Sequence, residues 1–244
     1  MQSVMGPNMR GVLIGADQTM EWCLRWWFEN YNKHNSHPVT VIDFGLSEKG
    51  LHNAKIIGDV IACPRATPKT YAHKPLDHFY VDKKRPIWFS KPLAMQRSPY
   101  QHTIWLDIDC EVLCDIEPLF DYCTSNLQFS AVRSLPAGQI WAYNNQFLKP
   151  GQVHYNGGVI AYDRNSQLLE KWTEQTQLAS EHYFADDIAF SAIIAEQNLV
   201  MDEIPKEYNR PWHVADRSRD HVIHWKGPSG QFQLLTYVMN TTLG

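Results

Sequence analysis

The stretch "TIWLDIDCEVLCDIEPLF", residues 103–120, decides how the rest of the chain reads. Its first four residues are the β-branched, aromatic and aliphatic types that suit a strand buried on both faces. Asp107 and Asp109 follow at once. Residues two apart in an extended chain face the same way, so both carboxylates point to one side where the strand leaves its sheet. In an open α/β sheet that edge borders the crevice where ligands bind. Two carboxylates so close repel, and one keeps its proton unless a cation sits beside them. Hard oxygen donors favour Mg2+ or Mn2+, and a histidine in the set tilts the choice toward manganese. Aspartate also caps strands and opens turns, so an isolated Asp-x-Asp carries little weight. Its place directly after "TIWL" gives it more.

Working outward, "GVLIGAD" (residues 11–17) is a short apolar run that stops at a turn. Met20, Cys23, Leu24, Trp27, Phe28 and Tyr31 then recur at helical spacing. "HPVTVIDFG" supplies a second strand and "AKIIGDVIACP" a third. This β-α-β opening favours a parallel sheet with right-handed crossovers. "TYAHKPLDHFYVDKKRP" reads as a polar surface excursion, and "IWFSKPLAMQRSP" as a helix ended by Ser98-Pro99. "LQFSAVRS" is a strand, and residues 135–154, rich in Pro, Gly and Asn, read as a loop. "YNGGVIAYDRNS" returns to a strand, with Asn165 or Ser166 capping the helix that follows. "ADDIAFSAIIAEQ" is a further helix opening on two carboxylates. "LVMDEIPKEYN" and "HVIHWKG" close the chain.

The 244 residues are 44% apolar and 20% charged, which fits a globular α/β chain and excludes a disordered or fibrous class. One domain over residues 1–244 is the expectation. A net charge of −4 and the lack of any Lys/Arg run argue against nucleic acid as a partner. No stretch reaches the roughly 20 apolar residues of a membrane span, and "MQSVMGPNMRGVLIGADQTM" lacks the apolar region of a secretory signal. Five cysteines cannot all pair, which suits free thiols in a reducing, cytoplasmic setting.

"WLDIDCEV" resembles the Asp-x-Asp strand of nucleotide-sugar-dependent glycosyltransferases of the GT-A fold. The chain is similar to the retaining family that contains glycogenin and the bacterial lipopolysaccharide galactosyl- and glucosyltransferases. The match runs over roughly residues 10–230 through four further segments in the family's order. The implied fold is a single GT-A, Rossmann-like α/β domain with a mostly parallel central sheet flanked by helices. Residues of about 10–120 would bind nucleotide, and about 121–244 sugar and acceptor.

The resemblance assigns residues as follows. In "SKPLAMQRSPYQHTIWLD", Lys91 precedes Asp107 by the family's separation and would lie against the donor diphosphate; an exposed lysine is the plain alternative. "YNGGV" matches the family's Asn-x-Gly-Val strand, with Asn156 on sugar hydroxyls and Gly157 and Gly158 allowing close backbone approach, although glycines also make strand bulges. In "ADDIAFS", Asp186 matches the aspartate near the sugar, and Asp187 stands where the family has Gln; both would be catalytic, though acidic residues also suit any first helical turn. "HVIHWKG" matches His-x-x-Gly, making His224 the third metal ligand beside Asp107 and Asp109 and placing Lys226 and Gly227 by the phosphates. His221 competes for the histidine role. The family continues with Lys-Pro-Trp, whereas "GPSGQF" follows here. Ala16 and Asp17 would meet the nucleobase. No site role falls to Trp141, Trp212 or Trp225.

The implied reaction is transfer of a hexose from a UDP-sugar to a carbohydrate, lipid-linked or protein hydroxyl, with Mn2+ or Mg2+ as cofactor and retention of configuration. A nucleotidyltransferase would also join a β-α-β start to carboxylate-bound Mg2+, but "GADQTMEW" lacks its basic glycine-rich loop. A noncatalytic sugar- or protein-binding module would keep the metal ligands only as relics.

Overall fold

A computed structural model describes residues 10–72 and 78–242. Residues 1–9, part of the N-terminal stretch expected to lack a secretory signal, and 73–77, part of the expected surface excursion, lie outside the described residues. The chain begins with β1 (Arg10–Ala16), α1 (Leu24–Tyr31), β2 (Val39–Asp43), α2 (Glu48–Ile57) and β3 (Asp59–Ala62). After α3 (His78–Met95) come β4 (His102–Leu106), β5 (Cys110–Val112), β6 (Phe129–Arg133), α4 (Pro136–Asn144) and β7 (Tyr155–Asp163). The remainder is α5 (Gln167–Leu178), α6 (Asp186–Glu196), β8 (Arg210–Pro211), β9 (Val222–His224) and α7 (Gly227–Thr242).

Six strands form the central sheet in the order β3-β2-β1-β4-β7-β6. The first four are mutually parallel, and β7 runs antiparallel to both of its neighbours. The apolar runs of the sequence have no polar alternation because both faces are covered. Val12, Ile14, Ile104 and Leu106 face a core that includes Leu24, Trp27 and Tyr31 of α1. Leu13, Trp105 and Ile160 face the opposite core, with Trp172 of α5 and Phe190 of α6. Helix starts follow the chemistry of their first residues. Ser47 caps α2 by accepting from Gly50 N at 3.1 Å, and Ser166, not Asn165, caps α5.

Two segments differ from the sequence reading, and a third was given no reading. The excursion ending at Pro86 is in its later part helical, since α3 runs through both Pro86 and Pro92. The Ser90 hydroxyl donates to Pro86 O at 2.6 Å, and buried Arg85, Phe89, Ala94 and Met95 anchor the helix where proline costs it backbone bonds. Residues 136–144 form α4 rather than loop, because Pro136 sits in the first turn, where its missing N–H is not needed. The tail after Gly227 forms α7, seated through Leu234 and Val238.

This topology sets up a site. β1 has its sequence neighbour β2 on one side and β4 on the other, so the carboxyl ends of β1 and β4 flank a switch in strand order. A second sheet, β5-β9-β8, rises beyond that edge. Antiparallel pairing of β5 with β9 puts Cys110 opposite His224, which carries a histidine from the end of the chain to the residue beside Asp109.

Candidate functional site

A cavity of about 620 Å³ opens over the carboxyl ends of β1 and β4, within the range of nucleotide and cofactor sites. Every site residue expected from the sequence lines it: Ala16, Asp17, Lys91, Asp107, Asp109, Asn156, Gly157, Gly158, Asp186, Asp187, His224, Lys226 and Gly227. His221 does not. Its ring packs 4.7 Å from that of Tyr208, so the register of β9 selects His224.

His224 Nε2 lies 3.3 Å from Asp109 Oδ1 and 3.8 Å from Asp107 Oδ2. Its orientation is fixed from behind. Asn209 Nδ2 donates to Asn156 Oδ1 at 2.8 Å, which turns Asn209 Oδ1 toward His224 Nδ1 at 2.9 Å. Nδ1 therefore carries a proton toward Asn209, and Nε2, open to a second proton or to a cation, faces two carboxylate groups. Three electron-rich atoms converge in this way only around a proton or a cation, and an imidazole braced through its other nitrogen is the usual metal-ligating arrangement. Burial works to raise the Asp109 carboxyl, but His224 and a 3.1 Å hydrogen bond from Gln231 Nε2 outweigh it and hold Asp109 below the ordinary carboxylate range. The donor set fits Mg2+ or Mn2+. Cys110 shares the cluster with Asp109 and His224, but burial pushes its thiol far up and Sγ–H points to Gly158 O. A protonated soft donor does not serve a hard cation, so Asp107 is the better third ligand.

Gly158 explains why the strand passes so close. A Cβ there would lie 2.4 Å from the His224 ring. The sequence reading gave this glycine to donor approach; in the structure the imidazole uses the space. Asn156 likewise spends its Oδ1 on Asn209, on Gly158 N at 3.0 Å and on His224.

Lys91, buried and anchored in α3, stands between two acids: Nζ is 3.0 Å from Asp107 Oδ1 and 3.1 Å from Asp186 Oδ2, and donates to Gly157 O at 3.2 Å. Burial works to lower its pKa, but the two carboxylates outweigh it and hold the ammonium well above the ordinary lysine value. Lys91 is the partner that Asp186 Oδ2 meets, through an ion pair. One ammonium cannot neutralise both acids. Burial, with Asp187 and Asp107 adding to it against Lys91, pushes the Asp186 carboxyl up to about 7. Asp187 goes the other way: burial opposes, yet His154, Lys91 and Lys226 together hold it low. Burial lowers Lys226, against the charges of Asp187 and Asp109. At the far side Asp17 accepts from Thr19 and lies 3.3 Å from Arg65.

Solved structures of glycosyltransferases share the fold of this chain. The galactosyltransferase LgtC, in complex with donor and acceptor sugar analogues, matches with a TM-score of 0.59 at 17% identity, over 90% of this chain and 88% of that one. The chain has the GT-A glycosyltransferase fold. GlyE of Streptococcus pneumoniae TIGR4 matches this GT-A chain with a TM-score of 0.61 at 14% identity, over 91% of it and 55% of GlyE. The bifunctional glycosyltransferase WbbM matches with 0.57 at 13%, over 93% and 47%. The GT-A chain thus spans about half the length of the latter two. No protein-family profile and no curated protein matches the sequence.

Sequence reasoning missed four residues at this candidate site: Asn209 behind His224, Gln231 on Asp109, Trp105, whose indole donates to Asp107 Oδ1 at 2.7 Å, and His154 beside Asp187. Only Gln231 left a trace, as part of the "GPSGQF" departure; it lies in the first turns of α7.

Proposed function

We propose that the protein is a metal-dependent glycosyltransferase that moves a hexose from a UDP-sugar to an acceptor hydroxyl with retention of configuration. The observation that carries this reading is the convergence of Asp107, Asp109 and His224 in one cavity with the Lys91–Asp186 pair. Asp107, Asp109 and His224 would hold Mn2+ or Mg2+, which when bound supplies Lewis-acid neutralisation of a diphosphate. Lys226 and the backbone at Gly227, where the 16-residue α7 begins, offer a charge and free N–H groups to the same phosphates. Ala16 and Asp17 would receive the nucleobase and ribose, and Gly157 and Asn156 the hexose. Asp186 would stabilise positive charge on the sugar as the bond to phosphate breaks; Lys91 orients it, and Asp187 stands next to it at the start of α6. The acceptor oxygen bonds to the sugar carbon, the bonding pair leaves with the phosphate, and the acceptor proton passes to that phosphate.

The acceptor would be a carbohydrate, lipid-linked or protein hydroxyl. Among the described residues no helix is long and apolar enough to cross a membrane. Five free cysteines, four of them buried, support a reducing, cytoplasmic setting. The test is UDP release from UDP-glucose, UDP-galactose and their N-acetylated forms, with Mn2+ and with EDTA. Release that requires the cation supports the assignment; equal turnover in EDTA rejects it.

A further inference from the structure

His154 stands out among the buried polar side chains. It is 4% exposed, lines the cavity and directs neither ring nitrogen to a hydrogen-bond partner. Leaving a buried imidazole unpaired costs stability, and native chains rarely accept that without a use. The position is built, not accidental. The Gln139 side chain clasps the His154 backbone from both directions, Oε1 accepting from N at 2.8 Å and Nε2 donating to O at 2.7 Å. The same backbone oxygen accepts from Ser134 N at 2.9 Å.

Across from the ring, Nε2 is 3.5 Å from Asp187 Oδ2, too far for a good direct bond. A hydroxyl can both donate and accept, so one placed against the two satisfies imidazole and carboxylate together. Above the imidazole lies Trp141 of α4, ring centroids 6.2 Å apart, 42% exposed and lining the cavity. An exposed indole beside unpaired polar groups is the combination that receives a pyranose, whose ring has an apolar face and a polar rim.

We propose that His154 and Asp187, under the Trp141 ring, form a hydroxyl-recognising pair that selects a pyranose at the α4–α6 side of the cavity. This rests on the sugar-transfer reading and names a specificity determinant within it. The hydroxyl could belong to the transferred hexose or to an acceptor sugar, and the experiment separates the two.

His154→Phe keeps the ring shape and removes both nitrogens; His154→Gln restores a donor and an acceptor. With Mn2+ present, affinities for UDP, UDP-glucose, UDP-galactose and the two methyl hexosides are read by tryptophan fluorescence. The expected result is unchanged UDP affinity in His154→Phe, about a tenfold loss for a sugar ligand, and partial recovery in His154→Gln. A loss confined to UDP-hexoses assigns the pair to the donor ring, and one confined to methyl hexosides to the acceptor ring. Unaltered affinity for every sugar ligand overturns the proposal. Should His154→Phe fail to fold, 15N signals of the His154 ring in the unaltered protein decide: movement on adding sugar supports the pair, and no movement at saturating sugar overturns it. The transferase reading fails separately, by absence of Mn2+-dependent UDP release while methyl hexoside still moves the His154 signal.

Discussion

The two sides of the cavity are held by opposite means. On the side proposed to hold a cation the candidate ligands are braced from behind: Asn209 turns His224, Asn156 turns Asn209, Gln231 holds Asp109 and Trp105 holds Asp107. On the proposed sugar side one ammonium is divided between Asp107 and Asp186, and His154 has no hydrogen-bond partner on either nitrogen, its Nε2 meeting Asp187 only at 3.5 Å. Braced donors need no rearrangement when charge develops. Unpaired buried groups instead reward a ligand that brings the missing partner. The first side is finished in the free protein, and on the proposed reading the second is completed by substrate.

The contrast breaks most severely at Asp109. Asp109→Asn keeps shape but removes the charge facing His224, and is expected to cut Mn2+-dependent UDP release roughly a thousandfold. Thermal unfolding, followed by circular dichroism, should shift little by comparison. Next is the brace itself: Asn209→Ala leaves all three ligands in place but frees the imidazole, and should weaken Mn2+ binding about 10–100-fold in a calorimetric titration. An unchanged Mn2+ affinity there would mean that the cation side is not preorganised by its supports.

On the sugar side the expected signature is pH-dependent stability. Burial holds the Asp186 carboxyl at about 7, above the roughly 4 of an ordinary aspartate. The folded state therefore binds this proton more tightly than the unfolded state. Its contribution is fully present below about 4 and is lost as pH rises toward about 7. Metal-free protein should lose melting temperature over that window, and Asp186→Asn should flatten the loss. The smallest effect belongs to a pair outside the cavity lining. Arg133, its side chain 53% exposed, pairs with Glu203 at 2.6 Å. Glu203→Ala should change unfolding free energy by under about 1 kcal/mol in urea denaturation.

These two sides also differ in how far the sequence revealed them. Asp107 and Asp109 were legible because a strand buried on both faces makes an adjoining carboxylate pair conspicuous. His224 was legible through resemblance, and the pairing of Cys110 with His224 supplies its physical reason. Asn209 was not, since its role arises from a side-chain contact across 15 residues with no periodic signature. His154 and Asp187 meet only because β7 packs against α6, a tertiary event that spacing along the chain does not encode. The helix α4 was read as a loop, and α7 was not read at all, for a local reason: Pro136 and Pro228 look like breakers, although proline in a first turn starts a helix.

The central claim is that a divalent cation at Asp107, Asp109 and His224 holds the nucleotide diphosphate. Calorimetric titration of UDP into the protein, once with Mn2+ and once with EDTA, tests it most directly. The account predicts saturable binding with Mn2+ and none detectable in EDTA. Equal UDP affinity under both conditions would contradict it.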